Sequence, residues 1–161
     1  MRRSLDIVAL VALVTLWVMT ASAIFGAQPL PLRVPTHFNL VGKPDGWGSP
    51  QVLWLLPCIG IFLYALMALV SRFPGAFNYP VRVTPANRAA LQHLALRLIA
   101  WLNAEVICLF VFIQYVIIKA ATGSLNGFSP YFFLIALVLV LGTIGWHMVE
   151  MRQTARMSLP R

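Results

Sequence analysis

Three groups of residues in this chain could do chemistry. The first is the segment PTHFNLVGKPDG, Pro35–Gly46, where His37, Asn39, Lys43 and Asp45 crowd together among turn formers. A histidine and a carboxylate are good ligands for a divalent metal. Two strong ligands do not complete a zinc site, however, and Arg33 and Lys43 oppose a cation nearby. No metal or other cofactor is therefore expected. His37, Asn39 and Asp45 remain candidates to bind a peptide or small polar ligand. The plainer reading comes first: a self-satisfied loop in which Asp45 makes a turn, Asn39 caps backbone groups and His37 packs on Phe38 or Trp47.

The second group lies inside an apolar run. Glu105 is the one acidic residue well within such a run. An ionisable group at that depth is costly unless paired, and it marks a functional position by default. His93, Arg97, Trp101 and Glu105 recur every four residues and so share one helix face. Glu105 leans toward the helix N-terminus, which points it at Arg97. Pairing of Glu105 with Arg97 is the expected role. A proton relay through His93 or His147 is the sharper alternative.

The third group, Asn78, Tyr79 and Asn87, sits in a polar loop with Arg82 and Arg88. Turn formation and capping is the first reading. A cytoplasmic docking surface is the second. Cys58 and Cys108 have no CxxC-type neighbours and read as small packing residues, without a disulfide. There is no nucleotide loop, nucleophile elbow or HExxH motif, so nothing supports an enzyme.

The elements that must position these residues are set by composition. Of the 161 residues, 60% are hydrophobic and only 10% charged, which places the chain in a membrane. Four runs are long enough to span a bilayer: Ile7–Phe25, Val52–Val70, Leu98–Ile118 and Tyr131–Val149. None alternates polar with apolar as a barrel strand does. The expected fold is an all-α four-helix transmembrane bundle, formed as one domain over residues 1–161.

The net charge of +8 is not a nucleic-acid signal, because of where the charge lies. Nine basic residues, from Arg2 to Arg161, fall before span one, between spans two and three, or after span four; Arg33, Lys43 and Lys119 fall opposite. The positive-inside rule then puts both termini in the cytoplasm and the loop 26–50 outside. Arg2 and Arg3, the apolar run and Ala21-Ser22-Ala23 also resemble a signal peptide with a cleavage site. The run is long for that purpose, and we expect it to be retained.

Prolines and glycines forbid a continuous helix in the loop 26–50 and favour extended segments and turns. Lys43-Pro44-Asp45-Gly46 reads as its tight turn. Pro57 falls in the first turns of span two, where a proline costs little. Thr84 and Pro85 read as the N-cap and first position of a helix running into span three.

Two segments together, PTHFNLVGKPDGWGSP (Pro35–Pro50) and FNYPVRVTPANRAALQHLALRLIAWLNAE (Phe77–Glu105), carry a family resemblance. The chain resembles short bacterial multi-pass proteins with the uncharacterised domain found at the front of SdpI-type immunity proteins, domain of unknown function sixteen-forty-eight. The resemblance implies fold and topology, and suggests a role in toxin immunity or signalling. It lacks the additional spans of the longer members. The expected function is non-enzymatic sensing, binding or immunity at the bacterial cytoplasmic membrane, with the loop 26–50 as recognition element. An accessory subunit of a larger membrane complex, or an ion or proton pathway through Glu105, are the alternatives. Expected partners are the lipid bilayer and either a membrane protein or an extracytoplasmic peptide, with no nucleic acid.

Overall fold

A computed structural model describes residues 2–28 and 30–157. Pro29 and Arg161, counted above with the loop prolines and the basic residues, lie outside the described residues. Four α-helices follow in order: α1 (Arg2–Phe25), α2 (Leu55–Val70), α3 (Arg88–Ala121) and α4 (Phe132–Met157). Between α1 and α2 come two short antiparallel strands, β1 (Val34–Phe38) and β2 (Pro44–Gly48), and a 3-10 turn at Pro50–Trp54.

Among the described residues, four helical segments are long and apolar enough to cross a membrane, the second being Pro50–Val70. In lipid a backbone must satisfy its own polar groups, and a helix does this within one segment. The chain is a multi-pass helical membrane protein. At 34 residues α3 is about 51 Å long, well beyond a hydrocarbon core of about 30 Å, so one end projects from it. That end begins at Arg88, and the helix runs unbroken into the third span, as expected.

Thr84 is not the side-chain cap, however. Its carbonyl accepts the amides of Asn87 and Arg88, while its hydroxyl makes no hydrogen bond. Asn87 stands at the cap position instead and uses its side chain to hold the preceding loop. Pro57 lies in the first turn of α2, where no helical hydrogen bond is lost.

The bundle core is thin. Leu5 and Ala9 of α1 pack with Ala100 and Ala104 of α3. Ala12 and Leu13 of α1 then pack with Ile107 of α3. Small residues at these positions let α1 and α3 approach closely. Gly60 of α2 does the same: a Cβ there would stand 3.2 Å from Leu13 and 3.7 Å from Ile107. Removing α1 would strip α3 of this cover. The large apolar side chains of α4, such as Leu134, Val138 and Leu141, face outward to lipid. Cys58 and Cys108 are free, and both are exposed rather than packed, because each falls on an outward face of its helix.

Two contacts show which helix ends lie together. Arg2 donates to the Ser71 hydroxyl at 3.2 Å, tying the start of α1 to the end of α2. Arg97 of α3 meets His147 and Glu150 of α4 at the same end. Eight of the eleven described basic residues thus lie at one end of the bundle, and the strands cap the other, where Arg33, Lys43 and Lys119 fall.

Candidate functional site

At the strand end, residues 34–48 of the loop fold as a hairpin. Its turn is Asn39–Lys43, not Lys43–Gly46 as the Pro-Asp-Gly sequence suggests. The Asn39 Oδ1 accepts the amides of Val41 and Lys43 at 3.1 and 3.0 Å. The Asn39 amide donates to the Lys43 carbonyl, and Gly42 takes a positive φ of 81°. With that turn closed by a side chain and a glycine, Pro44 to Gly48 is free to pair as a strand. Val34 and Pro35 are buried beneath.

The hairpin tip is clamped to the α3–α4 connection. The Phe128 amide donates to the Gly42 carbonyl at 2.9 Å. A Cβ on Gly42 would lie 2.1 Å from the Phe128 carbonyl oxygen, and one on Gly127 would lie 2.1 Å from that of Gly42. Phe38 meets Phe128 edge-on at 4.7 Å, and Phe128 stacks on Phe132 at 4.6 Å. An edge-to-face or offset ring pair adds roughly 1 kcal/mol beyond its buried area.

Of the three ligand-binding candidates, the structure joins two. His37 Nδ1 and Asp45 Oδ1 are 2.5 Å apart, with side chains 72% and 42% exposed. Asp45 thus pairs across the strands instead of closing a turn. The Oδ1 of Asn39 is spent on backbone amides, so Asn39 shapes the hairpin. Leu40 and Trp47 stand exposed on the same hairpin.

At the other end, the pairing of Glu105 with Arg97 is not formed. Each instead finds a partner on α4, which offers Thr143, His147 and Glu150 on one face at spacings of four and three. Arg97 forms an ion pair with Glu150, the side chains being 19% and 28% exposed. Thr143 donates its hydroxyl to Glu105 Oε1. Between these contacts, Arg97 Nε lies 3.4 Å from His147 Nε2, and His147 Nδ1 lies 2.9 Å from the Thr143 carbonyl. A carbonyl only accepts and a guanidinium only donates, so in these contacts Nδ1 is the donor and Nε2 the acceptor. The result is a polar ladder along the α3–α4 seam. It opens on a cavity of about 530 Å³ bordered by Arg97, Trp101, Gly142, Trp146 and Glu150. His93 is exposed and takes no part in the described ladder.

The expected docking trio divides in the same way. Asn78 is exposed. Tyr79 turns inward and donates to the Pro74 carbonyl at 2.8 Å, and burial pushes its pKa up. Asn87 is 2% exposed, accepts from the Thr84 amide and donates to the Arg82 carbonyl. Tyr79 and Asn87 fold the loop rather than present a surface. Phe77, Tyr79 and Val81 pack on Leu91, Ala95 and Met151, which explains why the loop lies against the helices.

Sequence reasoning missed Gln114. It is fully buried and donates to the Thr20 hydroxyl at 2.8 Å and the Leu53 carbonyl at 3.0 Å. One side chain thus joins α1, the turn before α2, and α3. A lone glutamine in an apolar run was its only signal. Glu150 was also missed, because it falls just past the fourth apolar run.

Comparison with known proteins places a family signal on the hairpin half. Residues 7–61 match the family model described as Domain of unknown function (DUF1648). The match covers α1 from Ile7 onward, the hairpin and the opening of α2. An uncharacterized protein of Archaeoglobus fulgidus is 26% identical over 146 residues, covering 82% of this chain and 76% of its own length. No solved structure matches the chain.

Proposed function

We propose that this protein is a non-enzymatic binding or sensing protein, with the hairpin as its recognition element. In this reading the hairpin faces outward from a bacterial cytoplasmic membrane and both termini face the cytoplasm. The basic residues gathered at the opposite end support that orientation. One observation carries the reading. The hairpin displays His37, Asp45, Leu40 and Trp47 to solvent, while its tip is fixed to the α3–α4 connection through Gly42 and Phe128. A ligand pulling on the hairpin therefore acts on the relative position of α3 and α4. Those helices meet again at Arg97 and Glu150, where the change would be read. Toxin immunity is one form such recognition takes, and an extracytoplasmic peptide is the ligand class that suits a paired charge flanked by exposed apolar groups.

The test is a photo-crosslinking residue at position 45 in the native membrane, with position 134 on the lipid face as control. A discrete adduct at 45 and none at 134 is the expected result. Identical labelling at both sites, or none at 45, would remove the recognition role.

A second reading, an accessory subunit, is favoured by the open face of α4. A Cβ at Gly142 or Gly145 would meet nothing within 4 Å, and Trp146 beside them is exposed. A partner helix could approach closely there. Purification in mild detergent should then yield a stable heteromer, and a clean monomer would count against it.

A further inference from the structure

At the arginine end a groove of about 280 Å³ runs between the loop before α3 and the last turns of α4. Arg82 and Thr84 border it on one side, Arg152 and Arg156 on the other, and Asn87 closes it. We propose that this groove binds a phosphate-bearing anion, either the phosphodiester of an acidic lipid headgroup or free phosphate.

Four observations converge on it. First, among the described residues no acidic side chain is left to pair with the three arginines. The chain holds four acidic residues, and each has another polar partner: Asp6 with Arg2, Asp45 with His37, Glu150 with Arg97, and Glu105 with Thr143. Second, the arginines come from two separate segments, and four-residue spacing puts Arg152 and Arg156 on one face of α4. A guanidinium offers a planar fork of donors that suits phosphate oxygens. Third, the groove is built. Asn87, almost fully buried, holds the Arg82 carbonyl at 3.1 Å and the Thr84 amide at 2.8 Å, which fixes the backbone that carries Arg82. The Thr84 hydroxyl oxygen is buried without a hydrogen-bond partner. Fourth, α3 begins at this groove with no side chain capping its first amides, so its positive dipole end faces the same space. Val81 and Ala155 supply apolar wall, as the glycerol and first methylenes of a lipid require.

The test uses the full-length protein in neutral detergent. It is titrated separately with phosphatidylglycerol, phosphatidylcholine and inorganic phosphate, and binding is read by native mass spectrometry and by melting temperature. R152Q/R156Q is compared with R3Q/R72Q, which removes the same charge from the same end outside the groove. We expect R152Q/R156Q to weaken phosphatidylglycerol binding at least about tenfold, the loss of one or more hydrogen bonds to a charged group, and R3Q/R72Q to leave it near wild type. Binding of inorganic phosphate with the same dependence would identify free phosphate as the source. R82K/R152K/R156K keeps every charge and guards against misfolding or inverted topology; weakened binding with an unchanged melting temperature is expected. Equal loss in R152Q/R156Q and R3Q/R72Q, full binding by the lysine variant, or no binding of either phosphate probe would overturn the site.

Discussion

Among the described residues, each end of this bundle carries one close contact between a basic and an acidic side chain of separate elements, and the two contacts sit in opposite surroundings. His37 and Asp45 meet across a hairpin largely in water. Arg97 and Glu150 meet across a helix seam, mostly covered by protein and beside apolar spans. In water the gain from pairing is small, because solvent already serves both groups. Under cover, each charge depends on the other, and losing one strands its partner. The exposed pair is therefore the one that the proposed ligand would engage. The covered pair holds α4, whose contacts with the rest of the bundle run chiefly through α3.

That contrast should break first at the seam. Arg97→Leu should cost roughly 3 kcal/mol, the low end for a buried pair broken on one side. The double change R97L/E150L should recover to within about 1 kcal/mol of wild type, because no charge is then stranded. Unfolding titrations in detergent micelles measure both. If the single and double variants lose the same stability, the covered pair is no more than a surface pair.

Next in size is the clamp between hairpin and seam. Gly42→Val meets both an unfavourable positive φ and the Phe128 carbonyl, and should cost about 2 kcal/mol of local stability. Faster tryptic cleavage at Arg33, which Val34 follows, would report the freed hairpin. Gln114→Leu should cost about 1 kcal/mol, typical of a hydrogen bond between spans. The midpoint of the same unfolding titration reads it. Smallest is His37→Ala, under about 1 kcal/mol for so exposed a pair, with recognition lost while melting stays put. A large drop in melting temperature on His37→Ala would erase the distinction between the two ends.

The sequence made the four spans, the gathering of basic residues and the unbroken run of α3 legible, since apolar length and charge position are properties of single segments. Which carboxylate meets which arginine was not. Arg97 and Glu105 share a helix face, yet their partners stand on α4, 53 and 38 residues further along the chain. Only the antiparallel packing of α3 on α4 brings Glu150 to Arg97 and Thr143 to Glu105. The hairpin turn was hidden for a different reason. Pro-Asp-Gly is a strong local turn signal, but Asn39 with Gly42 closes an earlier turn, and docking on Phe128 holds it there. Asn87 looked like surface by residue type and proved to be the buried pin of its loop.

The central claim is that docking of the hairpin sets the α3–α4 seam at the far end. Spin labels at His93 and Gln153, exposed positions on the two helices, test it in a background with Cys58 and Cys108 changed to serine. The account predicts one narrow distance distribution, broadened by Gly42→Val. An identical width with and without that substitution would contradict it.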